Sequence, residues 1–462
     1  MSTMVITGGM VVDGSGAAPR PADVHVSGDR IVAVTPRPAT AVHPNDAAPT
    51  NAAAHPNAAA HPNAVSHADH GRVVDATGCT VMPGLIDAHT HVTLGEPASN
   101  DELFFRREPA SAAIIAAANV RKLLLAGVTS FLDADGLYGI GPALRDCINA
   151  GIIPGPTMKS GHHALMTAVG GTAGRLIPDE GTAGYAEVVH DRDDMVRAVR
   201  RQIKEGADCI KVHVTGSVPS RRGELCVWKR SELQVVCETA HELGAWVLGH
   251  CRSQESTLLA AQTGIDVIYH GSYLDEACID AMLEAGSLLV PTWTFLANLA
   301  DYGAKAGAGA MALDWFASEI EATAKMTRVA YDRGVPIACG TETGFSVTPI
   351  GEWHAREMEV FVHQMGITPL EAITCGTRNG AIATREQGET GVVGVGMRAD
   401  LLVVDGDPSE DIAILQDRSK LRHVICRGED VDLTPVPGRR DLPGERSMSW
   451  TAVPLTQAVA RS

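Results

Sequence analysis

Eight short apolar segments alternate with longer stretches of helical character between residues 80 and 344 of this chain. The segments are VMPGLIDAHTHV, GVTSFLDAD, GPTMKSG, DCIKVHVTG, AWVLGHC, DVIYHG, LLVPTWTF and VPIACGTETG. Eight strand–helix units over roughly 250 to 300 residues are typical of a TIM barrel. We therefore predict an α/β fold with a (β/α)8 barrel, whose active site is built at the C-terminal ends of the strands.

The two ends of the chain have a different pattern. Short alternating runs with glycine-rich turns occur in MVITGGMVVDGSG and ADVHVSGDRIVAVTP, and they return in GVVGVGMRADLLVVDGDP and KLRHVICRGEDV. Such alternation favours an antiparallel sheet. We predict one small β-sandwich domain built from both chain ends, residues 1–79 and 385–435, around a barrel domain of residues 80–384, with a C-terminal tail at 436–462.

Residues 37–71 interrupt the first part of this sandwich and repeat the motif His-Pro-Asn. The histidines of the segment are His43, His55, His61, His67 and His70. A metal-binding tract is one interpretation. Sequence rich in Pro and Ala without fixed geometry is more often a disordered surface insertion, which is our prediction.

Composition excludes several classes of protein. The net charge of -17 over 462 residues would repel nucleic acid and anionic membrane surfaces. The N-terminus MSTMVITGGMVVDG has no secretory signal, and no apolar run is as long as a membrane span. Ten cysteines without a C-x-x-C pair indicate free thiols. We expect a cytoplasmic protein, a homo-oligomer, with a small-molecule substrate and no nucleic-acid or membrane partner.

Polar side chains stand near the ends of five predicted barrel strands. They are His89 and His91 on the first, Lys211 on the fourth, His250 on the fifth, His270 on the sixth and Glu342 on the eighth. Side chains two apart on a strand point to the same face, so the first two histidines leave the chain together. A lone histidine there would more often be a core residue, whereas this convergent set indicates a metal site.

These motifs resemble those of the amidohydrolase superfamily, close to its imidazolonepropionase-like and Xaa-Pro dipeptidase-like metal-dependent hydrolases. The resemblance covers nearly the whole chain. Its most specific part is the combination of H-x-H after PGLID with the closing G-x-x-A-D-L-L-V-V-D. The other segments that carry it are GGMVVDGSG, LLLAGVTSFLD, GADCIKVHVTG, VLGHC, VIYHG, VPIACGTETG and TPLEAITCGTRNGA.

The resemblance implies a binuclear, metal-dependent hydrolase of carbon–nitrogen bonds. His89 and His91 would hold one divalent metal and His250 and His270 a second, with zinc the expected metal. Lys211 would bridge the two as a carbamate formed with carbon dioxide, and its alternative is a buried lysine paired with an acid. A hydroxide shared by the metals would attack the carbonyl of an amide, N-acyl amino acid, dipeptide, carbamate or urea.

Glu342 departs from the family pattern. Relatives usually end the eighth strand with aspartate in G-T-D, which contacts one metal, takes a proton from the water and gives it to the leaving amine, whereas this chain has GTET. Glutamate offers the same chemistry with one more methylene, so we predict that Glu342 keeps this role, with loss of the role as the alternative. The predicted catalytic residues are thus Glu342, Lys211 and His270.

Loops after the predicted strands supply candidates for substrate contacts. Where many relatives have a histidine this chain has Thr172, and His162 and His163 lie nearby as substitutes or as a loop-stabilising pair. Arg221 and Arg222 could pair with a substrate carboxylate or belong to a solvated loop. Several aromatic residues could form an apolar wall or simply pack in the core: Phe104, Phe105, Trp228, Trp293 and Phe295.

Two other functions remain open. A deaminase of the same superfamily usually has one metal, no bridging lysine and a glutamate three residues after the fifth-strand histidine. This chain reads CRSQES after His250 and contains Lys211, which favours amide hydrolysis. A non-catalytic barrel scaffold would be expected to lose metal ligands, and all four histidines remain.

Overall fold

The computed structural model describes residues 3–38, 71–96, 107–171, 174–180, 182–219, 223–307, 309–436 and 453–462. Most of the predicted insertion, residues 39–70, therefore lies outside the described residues. So do five residues considered above: Phe104, Phe105, Thr172, Arg221 and Arg222.

Strands from both chain ends pair in one nine-stranded sheet. The strands are Thr3–Thr7, Met10–Val11, Arg20–Ser27, Arg30–Pro36, Arg72–Asp75, Cys79–Pro83, Leu401–Asp405, Leu421–Cys426 and Glu429–Asp430. The two ends meet where Val403 lies opposite Val81 in an antiparallel pair. Side chains such as Val24 and Val26 alternate inward with period two and form a separate apolar core with Leu401.

Parallel strands carry the middle of the chain. One sheet joins Leu85–Thr90, Val128–Asp133 and Thr157–Ser160. A second, seven-stranded sheet contains Thr182–Ala183, Ala186–Val188, Ala164–Met166, Cys209–His213, Trp246–Cys251, Val267–His270 and Leu288–Val290. The Asp208 N–H donates to the Ser160 carbonyl oxygen at 2.8 Å, which connects the two sheets. A short hairpin, Thr215–Pro219 with Glu224–Cys226, follows the Cys209–His213 strand.

The eighth predicted strand, VPIACGTETG, is not a regular strand in the structure. Main-chain hydrogen bonds nevertheless hold it between its neighbours: Pro336 accepts from the Leu289 N–H at 2.9 Å, and the Glu342 N–H donates to His89 at 2.8 Å. Pro336 has no N–H to donate, and Glu342 has a φ of 52°, so continuous ladder pairing is interrupted. The segment still brings its carboxylate beside the first strand.

Helices lie between these strands and at the C-terminus. They are Pro109–Leu125, Ile140–Asn149, Arg192–Lys204, Arg230–Glu242, Gln254–Thr263, Glu276–Ala285, Trp293–Tyr302, Ala310–Asp332, Arg356–Met365, Pro369–Gly376, Arg378–Ala383 and Gln457–Arg461. In Arg192–Lys204 the Asp191 side chain caps the first turn, and buried Met195, Val199 and Gln202 form one stripe. Among helices in the described ranges, none combines the length and apolarity that crossing a bilayer requires.

Candidate metal centre

Three predicted site residues bring potential ligand atoms together. One ligand atom each of His89, His91 and Glu342 lies within 4.8 Å of the other two. The histidines leave the end of the strand Leu85–Thr90, and the hydrogen bond between the Glu342 N–H and the His89 carbonyl oxygen fixes the neighbouring segment beside them. Two imidazoles and a carboxylate in one place form a donor set suited to a divalent cation.

A cavity of about 20 Å³ opens among these side chains, which is room for about one water molecule or ion. Five of the six predicted ligands line it, together with five other residues: His89, His91, Lys211, His250 and Glu342, with Leu94, Asp135, Tyr185, His213 and Phe345. His270 stands directly behind this lining, with its Nε2 at 2.9 Å from the Nδ1 of His250. All six predicted ligands therefore belong to one cluster.

His89 is held in one tautomer by Thr292. The Thr292 hydroxyl donates to the Val290 carbonyl oxygen at 3.1 Å and so accepts from the His89 Nδ1–H at 3.0 Å. The remaining nitrogen, Nε2, has a lone pair and lies 3.4 Å from the Nζ of Lys211. Burial holds the pKa of His89 well below its ordinary value, which keeps the ring neutral and able to bind a metal.

His250 and His270 face each other with nitrogens suited to a second cation. Glu224 lies 3.1 Å from the His250 Nε2, so this nitrogen carries the hydrogen and Nδ1 carries the lone pair. Despite burial, the His250 hydrogen bond holds the pKa of Glu224 down at about 2. Burial lowers the pKa of His270 well below its usual range. The His270 ring is thus kept neutral, and the Nδ1 lone pair of His250 faces it.

Lys211 is buried beside the first histidine, with its Nζ 4.2 Å from the centre of the Tyr269 ring. The same ring stacks on His89 at 3.8 Å. Burial lowers the pKa of Lys211, although Asp135 and Glu342 oppose the shift. A neutral amine is the form that can react with carbon dioxide, so this environment is compatible with a carbamate.

Glu342 is partly buried, and burial raises its pKa, while His91, His250 and Arg252 oppose the change. Glu342, His270 and Thr292 all have positive φ, at 52°, 69° and 58°. Non-glycine residues rarely adopt this region, and clusters of such strain are characteristic of functional sites. The backbone therefore holds these three side chains at defined angles to the cavity.

Of the predicted substrate contacts, Arg221 and Arg222 lie outside the described residues, and the other three do not line the metal cavity. His162 and His163 pair through their Nδ1 atoms at 2.9 Å and line a neighbouring cavity of about 470 Å³ with Arg201 and Glu205. The Trp293 side chain is buried in the core against Phe361, with ring centres 5.7 Å apart. His162, His163 and Trp293 are therefore not among the residues that line the metal cavity.

Two of the predicted aromatic residues, Trp228 and Phe295, contact residues that line the cavity, and two of the lining residues were not predicted. The Trp228 indole donates to the His213 carbonyl oxygen at 2.7 Å, and Phe295 packs edge-on against Phe345 at 5.7 Å. Sequence reasoning passed over Asp135 and His213, both of which line the cavity. The signal was available, because Asp135 ends GVTSFLDAD and His213 stands two residues after Lys211, on the same face of its strand.

Comparison with known proteins identifies the family of this chain. The sequence model of the amidohydrolase family matches residues 80–431. Ochratoxinase of Aspergillus niger is 31% identical over 372 residues, which cover 76% of this chain and 75% of that protein. Imidazolonepropionase of Paracoccus denitrificans is 26% identical over 348 residues, covering 72% of this chain and 80% of that protein.

Among solved structures, a Xaa-Pro dipeptidase with methionine bound in its active site superposes with a TM-score of 0.76. The two chains are 26% identical, and the match covers 93% of this chain and 100% of the other. The similarity thus extends over the sheet of both chain ends as well as over the parallel strands that carry the candidate metal centre.

Proposed function

This chain belongs to the amidohydrolase family and is a metal-dependent hydrolase of carbon–nitrogen bonds, and from this premise we propose that its active site is the cavity between His89, His91 and Glu342. The observation that carries the proposal is the convergence of three potential ligand atoms within 4.8 Å of one another. The ligand set of the proposal is His89, His91, Lys211, His250, His270 and Glu342.

The chemistry of the donors supports two divalent metals, with zinc as the expected ion. The tautomers leave lone pairs on Nε2 of His89 and Nδ1 of His250, which belong to different halves of the cluster. A carbamate on Lys211 would supply two anionic oxygens between these halves, which an ammonium cannot do. Neutral imidazoles with oxygen donors suit Zn²⁺.

Bound divalent metal supplies Lewis acidity toward the scissile carbonyl and lowers the pKa of water. Glu342 takes the proton of the attacking water on its carboxylate and gives it to the leaving nitrogen. Burial shifts the pKa of Glu342 upward, towards the range in which a carboxyl can both accept and donate a proton. Thr292 and Glu224 keep the histidines in the tautomers described above.

The cavity walls support a substrate with an apolar group beside its carbonyl. Leu94, Tyr185 and Phe345 line the cavity together with the histidines. Amides, N-acyl amino acids, dipeptides and neutral carbamates or ureas with an apolar substituent fit this description. The relatives named as ochratoxinase and Xaa-Pro dipeptidase support small-molecule amide or dipeptide substrates.

We also propose that the eight central segments close into a (β/α)8 barrel and that the sheet of both chain ends folds as a sandwich. The hydrogen bonds from the eighth segment to its neighbours on both sides support closure. The separate apolar core of the terminal strands supports a domain of residues 1–79 and 385–435 beside a barrel of 80–384. Homo-oligomeric assembly and a cytoplasmic location stay predictions.

A combined metal and substrate experiment tests the proposed function. Purified protein is analysed for metal content and assayed against N-acyl amino acids, dipeptides, aryl amides, carbamates and ureas. We expect about two metal equivalents and hydrolysis that is abolished by a chelator and restored by Zn²⁺. One equivalent with release of ammonia from nucleobase-like substrates would favour the deaminase, and protein without metal or activity would contradict the proposal.

A further inference from the structure

We propose that Asp135 is a positioning residue that orients His91 and His213 with one carboxylate and thereby sets the metal affinity of the centre. The proposal rests on the proposed function, because it concerns the metal that His91 would hold. Asp135 follows the strand Val128–Asp133 by two residues and is fully buried. A buried carboxylate is costly unless nearby groups offset its charge, and the rings of His91 and His213 both lie within 3.2 Å of it.

The first contact fixes the tautomer of His91. The His91 Nδ1 lies 2.7 Å from one carboxylate oxygen of Asp135 and 3.1 Å from the main-chain carbonyl oxygen of the same residue. Both neighbours can only accept a hydrogen bond, so Nδ1 carries the hydrogen. The lone pair is thereby assigned to Nε2, the nitrogen left for a metal.

The second carboxylate oxygen extends the contact across the cavity. It lies 3.2 Å from the Nε2 of His213. The His213 ring stacks on His250 with 4.8 Å between centres and an interplanar angle of 9°. Asp135 therefore links His91, from one half of the proposed centre, to a ring that packs against His250, from the other half.

Main-chain contacts hold both ends of this link in place. The Gly136 N–H, next to Asp135, donates to the His162 carbonyl oxygen at 3.0 Å. The carbonyl oxygen of His213 accepts from the Trp228 indole at 2.7 Å. The carboxylate is therefore prepositioned, and an amide in its place could accept a hydrogen bond with only one of its two ends.

The test is a zinc titration of metal-free protein against a chelating indicator. We expect Asp135→Asn to bind zinc about 10 to 100-fold more weakly than the wild type, which is the usual effect of removing a carboxylate behind a histidine ligand. The visible spectrum of the Co²⁺ form should change as well, because the His91 ring is less constrained. Glu319→Gln is the matched control, since Glu319 is a buried carboxylate that binds Arg252 and Ser272.

His213→Phe tests the link from its other end. The variant keeps a ring against His250 but removes the N–H that Asp135 accepts, so we expect a smaller loss of zinc affinity than in Asp135→Asn. The double variant should bind zinc no more weakly than Asp135→Asn alone, because His213 acts through Asp135. If Asp135→Asn does not fold, the zinc affinity of His213→Phe alone tests the inference: weaker binding supports it and wild-type binding contradicts it.

Wild-type zinc affinity in Asp135→Asn, or additive losses in the double variant, would overturn this inference while the proposed function stands. A wild-type protein that neither binds zinc nor hydrolyses any of the substrates would overturn both. Unchanged affinity in Glu319→Gln together with weaker binding in Asp135→Asn would separate positioning of the ligand from a general loss of stability.

Discussion

Glu342 is held by its backbone as much as by its side chain. Its φ of 52° is unusual for a residue with a Cβ, and its carbonyl oxygen accepts a hydrogen bond from the Thr348 hydroxyl at 2.7 Å. Its N–H is bonded to the first strand at His89. A longer side chain than the aspartate of relatives is therefore directed into the cavity from a fixed starting point.

Glu342→Gln should lower the rate of hydrolysis by about a hundredfold to ten-thousandfold, because the amide cannot transfer the proton. Zinc content should be unchanged, since the amide keeps an oxygen donor. Glu342→Asp tests whether the pocket fits the longer side chain of glutamate. If the pocket fits the longer side chain, a shift of about 1 Å should cost about a hundredfold in kcat.

The measurements are kcat and metal content of each variant beside Glu352→Gln, a control on the same connection that contacts Arg418 and Gln457. Wild-type activity of Glu342→Gln with full metal content would show that Glu342 moves no proton. Another group that lines the cavity would then have to carry the proton.

Asp133 provides a pH prediction. One of its oxygens accepts the Val92 N–H at 2.8 Å, and the other has no hydrogen-bond partner within the described part of the chain. Burial raises the pKa of Asp133 from 3.8 to about 7. Between these values the folded state keeps a proton that the unfolded state releases, so stability falls as pH rises, at most by about 1.4 kcal/mol per pH unit.

Urea unfolding of the metal-free protein from pH 4.5 to 8 measures this dependence. Asp133→Asn has no proton to release, so its stability should change less steeply with pH than that of the wild type below pH 7. Above pH 7 the two slopes should agree. Parallel slopes throughout would show that the folded protein holds Asp133 ionised.

The element scale shows where sequence patterns were sufficient and where they were not. Apolar runs that end in His89, His250 and His270 predicted strands, and the structure has them, since burial on both faces leaves such runs little other choice. The eighth segment was predicted as a strand and is irregular. Its isolated main-chain hydrogen bonds are made to segments that are distant in sequence, and the spacing of apolar residues gives no information about such contacts.

The C-terminal segment shows the same limit. Residues 436–462 were predicted only as a tail, yet the Leu455 N–H donates to the Ser346 carbonyl oxygen at 2.8 Å, and the Leu455 carbonyl accepts from the Trp353 indole at 2.8 Å. These contacts are to the connection that follows Glu342 and carries Phe345 of the cavity wall. The C-terminal segment therefore stabilises the connection that carries Phe345.

Leu455→Ala should destabilise the protein by about 2 to 5 kcal/mol, because the side chain is fully buried against Trp353. It should also raise KM, since the connection bearing Phe345 loses support. Thermal melting and steady-state kinetics measure both effects, and Val453→Ala, on an exposed side chain of the same segment, is the control. An unchanged KM despite lower stability would limit the segment to a structural role.

At the scale of the molecule, both chain ends were predicted to meet in one β structure, and Leu401–Asp405 does pair with Cys79–Pro83. The matching alternation of the two ends made this predictable. The tautomers and the Asp135 link of the site were not, because they depend on angles between side chains of separate strands. The candidate ligands could be predicted from the family resemblance, whereas Asp135 and His213, which contact them, were identified only in the structure.

The sheet also determines what can replace residues 37–71. The strand Arg30–Pro36 ends at Pro36, which lies opposite Ala22. The strand Arg72–Asp75 begins at Arg72, which lies opposite Met4, and Met4 in turn lies opposite Val26. The two strands are parallel, with two others between them. Pro36 and Arg72 are therefore three strand spacings apart across the sheet and four residues apart along it, which is a distance of about 20 Å. About six fully extended residues are the minimum that can connect them.

A variant with residues 37–71 replaced by a 15-residue Gly/Ser linker should keep its activity, zinc content and melting temperature. The residues that line the metal cavity all lie between His89 and Phe345, and lengthening a loop costs little entropy. A three-residue linker is too short for the parallel crossover, so it should lower the melting temperature by pulling apart the terminal strands while zinc content per folded molecule stays the same. Lost activity in the long-linker variant, with the melting temperature unchanged, would show instead that residues 37–71 act at the site itself.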